Sequence, residues 1–175
     1  LKRRLAKLKK ETTGKAKSSS KPTVRKEGSA QVCVVGMTNS GKSSLLRTLT
    51  NADVKVGDYE YTTKSPVVGM MDYYGVKIQL VEIPSTFSKS SIGIVNNCDL
   101  ILILIDGTDD LEEQLNNLRK IIGKRRMGSK KTLTVVNKCE LQSHGKVLSI
   151  SAKIGKGVDE LKDKIWSRLG LIRVY

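Results

Sequence analysis

The sequence predicts a three-layer α/β/α fold on a mostly parallel sheet with one antiparallel strand, and three observations carry that prediction. Short β-branched apolar runs alternate with segments of helical spacing across residues 31–175. The most apolar run, Asp99 to Ile105 (D-L-I-L-I-L-I), lacks polar alternation, as a strand covered on both faces requires. Two other runs, Val67 to Asp72 and Val76 to Ile83, are joined only by Tyr73-Tyr74-Gly75. So short a turn makes them an antiparallel pair.

Along the chain, Gln31 to Gly36 (Q-V-C-V-V-G) reads as a buried strand with Cys33 as a small core residue. Lys42 to Asn51 sets Leu45, Leu46 and Leu49 on one helical face, whereas Ala52 to Pro66 has no period and reads as a long loop. Pro84 to Asn97 is Ser-rich and reads as irregular. Leu111, Leu115, Leu118 and Ile122 mark an amphipathic helix, with Asp109 or Thr108 as its N-cap. Lys131 to Val136 and Val147 to Ser151 are further strands. Val158, Leu161, Ile165 and Leu169 line a closing helix, where Trp166 reads as packing.

Charge divides the 175 residues sharply. Of the formal +15, residues 1–30 hold +9, so they read as a basic arm ahead of a domain at 31–175. Leu1, Leu5 and Leu8 allow a short helix there, and Thr12 to Lys26 has linker composition. Such an arm attracts phosphate backbones by counterion release, which points to RNA; a solvated tail is the plain alternative. A second cluster, Lys124-Arg125-Arg126 with Lys130 and Lys131, is either a solvated helix end or an RNA-facing patch. The longest apolar run, Leu100 to Ile105, is too short to span a bilayer, so no membrane is expected. Cys33, Cys98 and Cys139 form neither a disulfide framework nor a zinc half-site, which favours a reduced, cytoplasmic setting. His144, the sole histidine, reads as a loop residue. The chain starts without Met and stops at Tyr175, which suggests a fragment of something longer.

Gly36-Met37-Thr38-Asn39-Ser40-Gly41-Lys42-Ser43 fits G-x-x-x-x-G-K-[ST], between a strand and a helix. Successive backbone N–H groups of such a loop turn inward around a polyphosphate, and the helix that follows, with Ser44 in its first turn, adds its positive dipole end. Lys42 would reach the β- and γ-phosphates, and the Ser43 hydroxyl would ligate magnesium. The domain is thus a P-loop NTPase by motif and context.

Four downstream segments come in the order that guanine nucleotide requires. Tyr61-Thr62-Thr63 lies where a Thr closes over the γ-phosphate and magnesium, with Thr63 preferred over Thr62. Glu82-Ile83-Pro84-Ser85 stands in the place of a D-x-x-G sensor. Asn137-Lys138-Cys139-Glu140 resembles N-K-x-D, whose carboxylate accepts both guanine N–H groups. In Ser151-Ala152-Lys153, which resembles S-A-K, the Ala N–H would face the guanine carbonyl. Magnesium would be held by Ser43, Thr63 and Glu82, while hydrolysis would rest on Lys42, Thr63, Glu82 and Asn39.

The span from Gln31 to Tyr175 resembles translation-factor-related GTPases of the Obg superfamily, and most of all its developmentally regulated GTP-binding protein (DRG) branch. The carriers are Tyr59-Glu60-Tyr61-Thr62-Thr63, the hairpin from Pro66 to Gly75, Ile78-Gln79-Leu80-Val81-Glu82-Ile83-Pro84, and the ending Leu169 to Tyr175. The resemblance implies a GTP-dependent switch on ribosomes, a protein activator, and continuation of the chain into a small TGS domain. An Asn at the place of Asn39 occurs in related GTPases that bind potassium beside the phosphates, so potassium joins GTP, GDP and magnesium as an implied cofactor. The chain departs from the family at Glu82, Ser85 and Glu140, where Asp, Gly and Asp are usual, and has Thr86 rather than a water-orienting Gln after Ser85. Slow hydrolysis is therefore expected. The competing reading is a GTP- or GDP-binding module with negligible hydrolysis that serves RNA or ribosome association.

Overall fold

The computed structural model describes residues 24–50, 54–56, 65–123, 132–141 and 147–171, with backbone alone at 54–56. The proposed 1–23 part of the arm, Thr62, Thr63, the Lys124–Lys131 cluster and His144 lie outside the described residues.

Six strands form one sheet: β1 (Ala30–Val35), β2 (Val54–Val56), β3 (Val67–Tyr73), β4 (Val76–Glu82), β5 (Leu100–Asp106) and β6 (Thr132–Asn137). Their order across the sheet is β2-β3-β4-β1-β5-β6. Strands β4, β1, β5 and β6 run parallel, and β3 is antiparallel to both its neighbours. The hairpin falls where the spacing placed it, with Val68 opposite Val81 and Tyr73 opposite Val76.

Four helices cover the sheet: α1 (Lys42–Thr50), α2 (Lys89–Asn97), α3 (Leu111–Ile122) and α4 (Val158–Leu169). The period of two explains how one strand serves two cores. Leu100, Leu102 and Leu104 of β5 join Leu45, Leu46 and Leu49 of α1 and Val158, Leu161 and Ile165 of α4 on one face. Ile101, Ile103 and Ile105 join Ile94 and Val95 of α2 and Leu118 and Ile122 of α3 on the other. Cys33 is fully buried in this second core.

Four local expectations need correction. Strand β2 occupies part of the segment read as loop, because a three-residue edge strand carries too few side chains to show a period. Helix α2 occupies most of the stretch read as irregular. Ser88 caps it by accepting from the Ser91 N–H, and its apolar positions are too few to stand out among serines. The cap of α3 is Asp110, which accepts from the Glu113 N–H, rather than Asp109 or Thr108. Val147 to Ser151 forms only isolated bridges, Val136 with Ser149 and Ser151 with Lys156.

Candidate functional site

The parallel strands end together at one pole, and there β1 runs into α1 through the Gly36–Ser43 turn. Two glycines make the turn possible. A Cβ on Gly36 would stand 2.5 Å from the Leu104 carbonyl oxygen of β5. Gly41 has φ +90°, and a Cβ there would lie 2.2 Å from Asn137 Nδ2. Asn39 also has positive φ, at 65°, a region that Asn tolerates better than most residues.

Lys42 opens α1 and folds back over the turn. Its Nζ donates to the Gly36 carbonyl at 3.1 Å, to the Met37 carbonyl at 2.9 Å and to Ser85 Oγ at 2.7 Å. Burial lowers the basicity of this ammonium, and the nearby Glu82 carboxylate opposes that shift. Ser85 in turn donates from Oγ to the Gly36 carbonyl at 3.3 Å. The segment after β4 is thereby fastened to the Gly36–Ser43 turn through a hydroxyl to which the sequence assigns no role.

The Ser43 hydroxyl donates to Glu82 Oε1 at 2.8 Å. Among the described residues, Glu82 Oε2 is the buried side-chain oxygen without a hydrogen-bond partner. Thr38, Asn39, Lys42, Glu82, Ser85 and Thr86 line a cavity of about 390 Å³ on this side of the turn. A buried carboxylate oxygen lacking a donor, beside a serine hydroxyl, suits a hard divalent cation or its water shell.

On the other side of the turn stand the ends of β5 and β6. Asn137, at the end of β6, is buried and donates from Nδ2 to the Ser40 carbonyl at 2.9 Å. Its Oδ1 accepts from the Ala152 N–H at 2.9 Å. That amide, expected to face a base carbonyl, is thus spent on Asn137, because a buried amide oxygen needs a donor. Lys138 has φ 66° and pairs its ammonium with Asp106 at the end of β5. Burial pushes the Asp106 carboxyl up, but hydrogen bonds from Lys138 and Thr108 outweigh it and hold the group below its ordinary range. Gln114 of α3 completes the node, accepting from the Asp106 N–H and donating to its carbonyl. The Ser151 hydroxyl beside exposed Glu140 holds that carboxyl below its usual value.

The geometry therefore brings Gly36, Thr38, Asn39, Ser40, Gly41, Lys42 and Ser43 together with Glu82 and Ser85 on one flank. Asn137, Lys138, Glu140, Ser151 and Ala152 stand on the other. Ser44 and Lys153 are exposed, and no described contact ties either side chain to the turn. Asp106, Gln114 and Thr48, which donates to the Ala152 carbonyl at 2.8 Å, are supports that sequence reasoning missed. The one available signal was an acid ending a wholly apolar strand.

Residues 31–138 match the family described as 50S ribosome-binding GTPase. The chain is 33% identical over 142 residues to a GTPase Obg of Pelagibacter ubique, which covers 74% of this chain and 43% of that protein. It is 38% identical over 117 residues to an uncharacterized GTP-binding protein of Methanocaldococcus jannaschii, at 61% and 30% coverage. It spans less than half the length of either. Its structure is similar to that of the G domain of the T. maritima FeoB iron transporter, with TM-score 0.60 and 24% identity, covering 79% of this chain and 98% of that one. Likeness at that identity speaks for the fold alone. Among the described residues, no helix is long and apolar enough to cross a membrane.

Proposed function

Since the chain belongs to the family of 50S ribosome-binding GTPases, we propose that it is a guanine-nucleotide switch that binds GTP and GDP, hydrolyses GTP slowly and acts on ribosomes in the cytoplasm. The observation that carries this reading is the convergence of Lys42, Ser43, Glu82 and Ser85 on one side of the Gly36–Ser43 turn. Asn137 ties the other side to the Ser151-Ala152 loop.

In this reading the turn's amides and the start of α1 hold the phosphates, and Lys42 exchanges carbonyl and hydroxyl partners for phosphate oxygens. Ser43 and Glu82, with Thr63, would hold magnesium, which when bound neutralises charge developing on the transferring phosphoryl group. Glu140 and Lys138 flank the base, and Asp106 keeps Lys138 in its left-handed backbone setting. No Gln follows Ser85 to orient the attacking water, which accounts for slowness. The hairpin from Pro66 to Gly75 favours the DRG branch of the Obg superfamily, with a protein activator for turnover and ribosomal RNA as the arm's partner.

Calorimetry with magnesium should show heat for GTP and GDP, and affinity for ATP lower by about a hundredfold or more. Single-turnover hydrolysis with excess protein should run on the order of 10⁻⁴ to 10⁻³ s⁻¹. Binding without measurable hydrolysis would instead select the second reading, a guanine-nucleotide-binding module. The fastening of Ser85 to Lys42 and Gly36 favours that reading, since it resists the movement a γ-phosphate sensor needs. Potassium beside Asn39 would add positive charge at the cavity, so turnover should rise severalfold from sodium to potassium buffer. Equal rates would remove the ion from the account.

A further inference from the structure

Beyond the end of β4 the chain is pinned on both sides of Ser85. Before it, the Ile83 N–H donates to the Val34 carbonyl of β1 at 2.9 Å, and the ring of Pro84 fixes its own φ. After it, the Phe87 N–H closes a turn onto the Pro84 carbonyl at 3.1 Å. Phe87 stands at φ 46°, a left-handed setting that a bulky residue keeps only where its surroundings impose it. Its half-buried side chain packs against the second core, which supplies that constraint. Between these anchors the Ser85 backbone has little room to retreat from the Gly36–Ser43 turn.

An ammonium has three N–H donors, and each of those on Lys42 has a partner: the Gly36 carbonyl, the Met37 carbonyl and Ser85 Oγ. These partners are not equivalent. The two carbonyls belong to the turn itself, whereas Ser85 reaches Lys42 from the flank that carries Glu82 and the cavity. Its bond, at 2.7 Å, is the shortest of the three. The same hydroxyl donates to the Gly36 carbonyl, so one oxygen bridges the cation and the turn.

We propose that Ser85 is a specificity-determining residue: its hydroxyl holds the place on Lys42 that the terminal phosphate of a triphosphate needs, so the site selects GDP over GTP. This rests on the guanine-nucleotide site proposed above and adds which phosphorylation state that site retains. A diphosphate can be gripped by the turn's amides and by Lys42 with the Ser85 bond kept. A third phosphate on the Glu82 flank has to displace the hydroxyl, and a charge-assisted bond is forfeited before its replacement forms. The exchange is also uneven. A phosphate oxygen can accept from Lys42 but has no proton to give the Gly36 carbonyl, which the hydroxyl supplied.

Calorimetric titration of the full chain with GDP and with a non-hydrolysable GTP analogue, at one magnesium concentration, gives the ratio of the two affinities. The wild type should favour GDP by about tenfold or more. Ser85→Ala keeps the Cβ but removes the hydroxyl, and it should move the ratio about tenfold toward the triphosphate. Ser85→Thr retains a hydroxyl and should keep the wild-type ratio. Ser85→Gly should match Ser85→Ala, because the oxygen and not backbone freedom sets the preference. A ratio that Ser85→Ala leaves unchanged would overturn the proposal. So would a shift seen in Ser85→Gly alone, which would hand control to the backbone. A move of Ser85→Ala toward GDP would overturn it as well, by showing that the hydroxyl donates to the terminal phosphate instead of standing in its place. Absence of heat from both nucleotides with the folded wild type would strike the proposed function itself, whereas binding of both with an unmoved ratio strikes this assignment alone.

Discussion

Replacing Lys42 by Ala should lower GTP and GDP affinity by about two to four orders of magnitude while the domain stays folded. The ammonium makes three hydrogen bonds above the turn, each of which a phosphate oxygen can take over. Charge-assisted bonds of that kind contribute about 1.5–3 kcal/mol each, so losing two of them removes about 3–6 kcal/mol, or two to four decades in Kd. Stability should move far less. Burial already penalises this ammonium, and only the pull of Glu82 offsets part of that penalty. Calorimetry with GDP, paired with a thermal melt, checks both halves. An affinity within tenfold of wild type would mean that Lys42 does not reach phosphate.

Asn137→Ala should damage both the fold and the choice of base. The side chain links the turn, through the Ser40 carbonyl, to the Ala152 amide. Both partners are lost at once in a buried site, at about 1–3 kcal/mol for each group left unsatisfied. A total of about 2–6 kcal/mol corresponds to a fall in Tm of about 5–20 °C for a chain of this size. With the Ser151-Ala152-Lys153 loop untethered, preference for GDP over ADP should collapse toward unity. Asn137→Asp separates the two effects, because it keeps an acceptor for Ala152 while turning an oxygen toward the Ser40 carbonyl. It should keep much of the base preference through the retained Ala152 bond, while the lost donor to Ser40 still lowers Tm.

Much of this arrangement could be read from residue order. Gly36 and Gly41 declare themselves because only glycine fits against Leu104 and Asn137. The leucine and isoleucine sets of β5 divide between the two cores as a doubly covered strand must. The features that escaped were those whose signal is not local. Helix α2 draws its stability from Ile94 and Val95 packing beneath β4 and β5, not from any run of strong helix formers. Asp106 looks like the last residue of a strand until Lys138, 32 positions later, is brought onto it. Gln31 and Gln79 look like polar intrusions in apolar strands. Only the register of β1 with β4, which sets them side by side, turns them into a cradle for the incoming chain. Ala152 shows the opposite failure, since its motif was legible but its amide serves the protein's own Asn137.

The thinness of the sheet at its β6 side also sets a hierarchy of rates. Residues 147–151 adhere to β6 through two bonds at Val136, with the Cys139 amide adding a third to Ile150, whereas β5 is zipped on both margins. Such a selvedge frays at a small fraction of the free energy that parts the centre. If guanine is lodged against it, local peeling would lift Ile150 and Leu148 from the first core but spare the Gly36–Ser43 turn and the second core. Guanine exchange would then need no global unfolding, and a partner that merely grips this margin would set its pace.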